Sequence, residues 1–288
     1  MHTLGEAHET EVAGCRIAWS EMGDGPPLVL LHGILDSHRS WRRSAPALAK
    51  HFRVFMPDLP GHGVSGRPDA PYTLAWHSQV LSEWMQAIDL QDAHVCGHSY
   101  GAGIAMFMLL EHRERVRHLG LVSAGGLGRQ VAPGMRLAAI PYFGKRLTPL
   151  ALRHGLPRVL RYAAPTLGHM EPEEMEIMVR WARIPGTEMA FQRCIEGVIN
   201  VFGQSMGAVE RAGEVDELPP VAMFWGTKDT VIPVRHGRDT LDRLRGATLT
   251  TYSGCGHYPH LDYPQGFARD LSAFLMDSER EPAVFFQR

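Results

Sequence analysis

The stretch that decides the fold is Ala93-His94-Val95-Cys96-Gly97-His98-Ser99-Tyr100-Gly101-Ala102-Gly103-Ile104-Ala105-Met106-Phe107-Met108. It opens with a short apolar run ended by glycine, the signature of a strand buried on both faces, and closes in a segment with helical character. A strand that turns directly into a helix is the entry to a parallel βα unit. Gly97 and Gly101 permit a tight, strained turn that lifts the Ser99 hydroxyl off the sheet, and Gly103 leaves room for close helix packing. The helix N-terminus adds unpaired amides and positive potential where negative charge would develop. In that strand–turn–helix setting, Gly-x-Ser-x-Gly fits a nucleophile; the plainer alternative is a serine in a glycine-rich turn.

Working outward, Pro27–Leu31, followed by His32-Gly33, repeats the short apolar run ended by glycine. Further candidate strands are Arg53–Met56, His118–Val122, Val221–Trp225 and Ala247–Tyr252, with helical periodicity near 41–50, 75–89, 101–112, 234–245 and 265–276. Strand and helix in alternation read as an α/β sheet, while Thr10–Glu21 reads as an antiparallel pair or meander. The alternation stops between about Gly125 and Gly213, where Leu, Met, Ala and Arg recur between prolines. The expected organisation is an α/β core of residues 1–124 and 214–288, with residues 125–213 inserted as a cap of short helices. Residues 277–288 read as a partly ordered tail.

A serine hydroxyl needs a base, and the base needs an acid to orient it. Gly254-Cys255-Gly256-His257 puts a histidine on a glycine-rich loop after the last strand. Its competitor His260 lies in a turn where Asp262 reads as a helix-start residue and Pro264 as the first turn. Asp229, in Trp225-Gly226-Thr227-Lys228-Asp229, follows another buried strand and completes the chain order Ser, Asp, His. The two N–H groups that would hold an oxyanion belong to Tyr100, directly after the serine, and to Ile34, in the loop after Leu31.

These pieces, together with Asp58-Leu59-Pro60-Gly61-His62-Gly63-Val64-Ser65, resemble the α/β-hydrolase superfamily over nearly the whole chain. The resemblance implies an eight-stranded, mostly parallel sheet, no cofactor, and a structural turn at Asp58–Ser65 in which Asp58 and His62 have no chemistry. Epoxide hydrolases and haloalkane dehalogenases share the capped architecture but carry aspartate where this chain has Ser99. Carbon–carbon bond hydrolases of aromatic degradation usually carry Trp after the catalytic histidine, where Tyr258 stands here. The remainder resembles bacterial carboxylesterases, lactonases and perhydrolase relatives.

Composition is ordinary for a globular protein, and the expected partner is a small-molecule substrate. Of 288 residues, 44% are hydrophobic and 21% charged, and the net charge of −2 provides no basic field for nucleic acid. No apolar run approaches the about eighteen residues of a membrane span, and the first residues lack a basic segment leading into an apolar one, so a cytoplasmic protein is expected. Cys15, Cys96, Cys194 and Cys255 are too irregularly spaced for a disulfide framework or metal knuckle, and the 16 histidines include no His-Glu-x-x-His, so free thiols and no metal are expected. The expected activity is hydrolysis of an ester-like bond through an acyl-enzyme. The alternatives are a carbon–carbon hydrolase, a lactonase, an acyltransferase, or a non-catalytic ligand-binding member of the fold. The sequence leaves oligomeric state open.

One feature of the insertion admits two readings. From Gly125 to Met170 the chain carries Arg129, Arg136, Lys145, Arg146, Arg153, Arg158 and Arg161 and no Asp or Glu. They read as solvated helix faces balanced by Glu171, Glu173, Glu174 and Glu176, in preference to a basic mouth for anions. Leu137, Ile140, Tyr142, Phe143 and Leu147 are candidates to line an acyl pocket or to pack the insertion.

Overall fold

The computed structural model describes residues 4–140, 143–155, 171–205, 211, 218–277 and 282–285. Eight strands form the central sheet: β1 (Glu6–Val12), β2 (Cys15–Met22), β3 (Pro27–Leu31), β4 (Arg53–Pro57), β5 (Ala93–His98), β6 (Val116–Val122), β7 (Val221–Gly226) and β8 (Thr248–Tyr252). Their order across the sheet is β1-β2-β4-β3-β5-β6-β7-β8. β2 runs antiparallel to both β1 and β4, and every other neighbouring pair is parallel.

Period-two alternation in these apolar runs feeds two cores at once. Leu28, Leu30, Cys96, Ala222 and Phe224 face one side, where they meet Ala45 and Leu48 of α1 (Ala45–Leu48). Phe267 and Leu271, of the helix Pro264–Met276, belong to that same cluster. Val29, Leu31, Val95, Met223 and Trp225 face the other side, against Leu81 and Trp84 of α2 (Leu74–Ala87) and Ile104 and Met108 of α3 (Tyr100–Glu111). Each such side chain removed from water stabilises the fold by about 1.5–3 kcal/mol. α2 starts cleanly because the Thr73 side chain accepts from the Trp76 amide.

Between β6 and β7 the described residues form α4 (Pro133–Ala138), α5 (Phe143–Leu150), α6 (Pro172–Ala182) and α7 (Thr187–Val198), followed by a minimal hairpin of Ile199–Asn200 and Gly203–Gln204. These elements bury a small cluster of their own, with Ala139, Leu152, Ala182, Phe191, Ile195 and Ile199. After β7 come α8 (Arg235–Leu241), α9 (Pro259–Asp262) and α10, the helix Pro264–Met276 introduced above.

Two local expectations change, both of helices. The helix expected over 234–245 stops at Leu241, because Leu244–Arg245 pairs as a strand with Val284–Phe285. Ala283 also bridges Leu218, so residues 282–285 are ordered against the body. The helix expected near 41–50 divides into a 3₁₀ turn, His38–Trp41, and the four-residue α1. All four cysteines are free and buried.

Candidate active site

The chain leaves β3 for β4 on one side and then crosses to β5 on the other, so the carboxyl ends of β3 and β5 flank a topological switch point. Ile34 follows β3 there, and Ser99 follows β5. Ser99 has φ +54 and ψ −112, a backbone conformation unfavourable for a residue with a side chain. The turn is held from both sides: the Ser99 amide donates to the Val122 carbonyl at 2.9 Å, and the Ser99 carbonyl accepts from Ala102, Gly103 and Gly125 at 3.1–3.3 Å. A Cβ on Gly97 would lie 2.3 Å from the Gly101 carbonyl oxygen, and one on Gly101 would lie 2.4 Å from that of His32. The strand, helix and neighbouring loop approach that closely only because both positions are glycine.

Asp229 and His257 lie beyond β7 and β8, and backbone bonds tie their loops together. Thr227 donates to Tyr252, and Lys228 donates to Cys255 at 2.9 Å. His257 Nδ1 lies 2.8 Å from Asp229 Oδ2, while Asp229 Oδ1 accepts the amides of Val231 and Ile232 at 2.9 Å each. Both side chains are buried. No hydrogen bond joins the Ser99 hydroxyl to the His257 ring.

The Ile34 and Tyr100 amides have no protein acceptor among the described residues, and both residues line the same cavity as Ser99. The buried His32 organises this loop. Its Nε2 accepts the Leu59 amide at 2.9 Å, which leaves Nδ1–H to donate to the Gly33 carbonyl at 2.7 Å. Burial lowers its pKa to about 3, so the ring stays neutral.

The cavity measures about 50 Å³, room for a few water-sized groups. Its apolar wall comes from Leu74 and Met106 below and from Val131, Met135, Ile195 and Ile199 above. Gln204, the most polar lining residue, has its own partners. It accepts from the Gly126 amide and donates to the Gly128 and Gln130 carbonyls, which braces the start of the insertion.

Several expectations are redistributed. His260 is buried with its Nε2 3.0 Å from Ser40 Oγ. Asp262 ends α9 and accepts the Gly256 amide at 3.1 Å, so it does not cap the next helix; Tyr263 occupies that position. Asp58 is a buried brace that accepts from the His38 amide, His38 Nδ1 and the Val64 amide, in keeping with a structural turn. Glu174 is not among the solvated acids facing the insertion's arginines. It packs against Arg39 and Arg42 on the β3–β4 connection, and Glu171 lies 3.6 Å from Arg42. No Lys or Arg lines the cavity among the described residues. Leu137 is 54% exposed, and neither it nor Ile140 lines the cavity. Arg158, Arg161 and Tyr142, and the side chains of Lys145, Arg153, Phe143 and Leu147, lie outside the described residues. Sequence reasoning missed Gln204 and the Glu174 pairing, whose partners are remote in the chain; it also missed His98, which occupies an unrestricted position of the motif.

The chain matches the alpha/beta hydrolase fold family over residues 26–264 and belongs to that family. It is 34% identical to an uncharacterized protein of Mycobacterium tuberculosis, with 96% of this chain and 82% of that one covered. It is 27% identical to 2-hydroxymuconate semialdehyde hydrolase of Pseudomonas sp. (strain CF600), with 94% of each covered. The crystal structure of an alpha/beta hydrolase fold protein from Burkholderia ambifaria superposes with a TM-score of 0.81 at 27% identity, covering 94% of this chain and 98% of that one. No described helix is long and apolar enough to cross a membrane.

Proposed function

We propose that the protein is a serine hydrolase that cleaves an ester-like bond of a small, neutral, mainly apolar substrate through an acyl-enzyme. The observation that carries this reading is the 2.8 Å pairing of His257 with Asp229, with the His257 carbonyl bonded to His98, the residue before a serine held at φ +54 on the wall of an apolar cavity. Ser99 Oγ attacks the carbonyl carbon and His257 Nε2 takes its proton. The ring returns that proton to the leaving alcohol, then activates the water that releases the acid. Asp229 holds Nδ1–H and stabilises the imidazolium, and the Ile34 and Tyr100 amides receive the oxyanion. Residues 125–213 serve as the cap over a core of 1–124 and 214–288. The apolar cluster of Ala139, Leu152, Ala182, Phe191, Ile195 and Ile199 supports that division, while Ala190 and Cys194 join the cap to the main core.

A second reading comes from the Pseudomonas relative: hydrolysis of an acidic substrate on the same triad. An anion held in that cavity calls for a cation in its lining, and the described lining has none. The test is turnover of a neutral short-chain p-nitrophenyl ester beside its ω-carboxylated counterpart, with the Ser99→Ala variant as control. Preferred turnover of the neutral ester, abolished in the variant, is the expected result. A preference for the carboxylated ester overturns the substrate class, and full activity of the variant overturns the nucleophile.

A further inference from the structure

The geometry points to His98 as a positioning residue: its side chain donates to the His257 backbone carbonyl and thereby sets the base loop against the nucleophile turn. His98 ends β5 and directly precedes Ser99. Its Nε2 lies 2.9 Å from the His257 carbonyl oxygen. A carbonyl only accepts, so Nε2 carries the proton and Nδ1 has the lone pair. Among the described residues Nδ1 is buried without a hydrogen-bond partner, an arrangement that costs stability. The ring therefore contributes one directed bond, and that bond spans two loops 159 residues apart.

The same ring packs against three rings of the base loop. Its centroid is 4.8 Å from His257, 4.5 Å from Tyr258 and 4.7 Å from His260. A Cβ added to Gly33 would lie 3.0 Å from His98 Nδ1 and 3.4 Å from Ser99 Cβ, so the oxyanion loop rests on it too. Burial, together with His260 and His257, pushes His98 protonation well below the usual histidine range. The ring thus stays neutral, and no second positive charge stands beside the imidazolium that His257 forms.

This assignment rests on the Ser99–His257–Asp229 reading, and its test separates the two. His98→Phe keeps an aromatic ring and removes the donor, while His98→Gln places an amide N–H near the position of Nε2. If His98→Phe does not fold, His98→Met replaces it. With a neutral p-nitrophenyl ester, the donor-less variant is expected to lose about a hundredfold in kcat with little change in KM, as for a misplaced catalytic group. His98→Gln should recover most of that loss. A second readout, made in the Ser99→Ala background, needs no turnover: the downfield proton resonance of His257 Nδ1–H should shift or broaden with His98→Phe and return with His98→Gln. Parent-like kcat in the donor-less variant overturns the assignment. So do equal losses in the Phe and Gln variants with an unmoved resonance, which mark packing alone. Full activity of Ser99→Ala instead removes the underlying triad.

Discussion

Asp229 gives its two carboxylate oxygens different work: Oδ2 faces His257 Nδ1 at 2.8 Å, and Oδ1 is committed to the amides of Val231 and Ile232. That division dictates what an amide would do there. In Asp229→Asn the oxygen must stay on the two backbone donors, so the NH₂ group faces Nδ1 and forces the ring proton onto Nε2. The ring then cannot accept from Ser99. A fall in kcat of about ten-thousandfold is expected. Asp262→Asn, which weakens the bond to the Gly256 amide and leaves Asp229 in place, should stay within tenfold of the parent. Steady-state kinetics on both variants decide the assignment, and the reverse ranking contradicts it.

Acid should unfold the protein readily. Burial lowers His32 to about 3 and His62 and His77 to about 4, and it pushes His98 and His260 well below the usual histidine range. Below pH 6.5 the unfolded chain takes up protons that these native rings refuse. Stability is therefore full above pH 6.5 and is lost as pH falls towards 4. Each group contributes up to about 1.4 kcal/mol per pH unit across that window. Asp36, raised by burial to about 6, works the other way between 4 and 6, and His38, raised against the cost of burial by Asp58, does so above 6.5. These are two groups against seven, because burial also lowers His94 to about 4 and lowers His236. Urea unfolding at pH 7.5, 6 and 5 should show a steep decline. A flat profile would mean that these rings are solvated.

The parts that sequence made legible are those fixed by near neighbours along the chain. β5 and α3 follow from two glycines around Ser99, and Asp229 and His257 each stand just beyond a short apolar strand. What stayed hidden depends on partners far away. Leu244–Arg245 looked helical because its strand partner begins about forty residues on, at Val284. Glu174 looked solvated because Arg39 and Arg42 precede it by well over a hundred residues. The motif leaves the identity of residue 98 free, so nothing local marks its bond to His257.

The Glu174 cluster joins α6 to the connection that follows Ile34. Glu174 and Arg42 have side chains only 8% and 13% exposed, and Arg39 grips both carboxylate oxygens. Glu174→Gln removes the carboxylate that Arg39 and Arg42 share, while Glu171 stays 3.6 Å from Arg42, and should cost about 3 kcal/mol. Chemical denaturation reads that loss, and limited proteolysis should cut within 133–200 sooner. Unchanged stability would show the pair to be solvent-screened.

The cavity wall of Val131, Met135, Ile195 and Ile199 makes chain length the variable to scan. Across neutral p-nitrophenyl esters, kcat/KM should rise by up to about fourfold per added methylene, the equivalent of about 0.8 kcal/mol, and then fall once the space is filled. The trend should persist at high ionic strength. A flat response with a salt-sensitive preference for carboxylated esters would place the insertion's arginines in the substrate path.

The central claim is that Ser99 is the nucleophile, and covalent labelling tests it most directly. The folded protein should take up one fluorophosphonate per chain, with the adduct on the peptide that contains Ser99. Ser99→Ala should remain unlabelled, and Asp229→Asn should label far more slowly. An adduct on any other residue, or equal labelling of the parent and Ser99→Ala, would contradict the account.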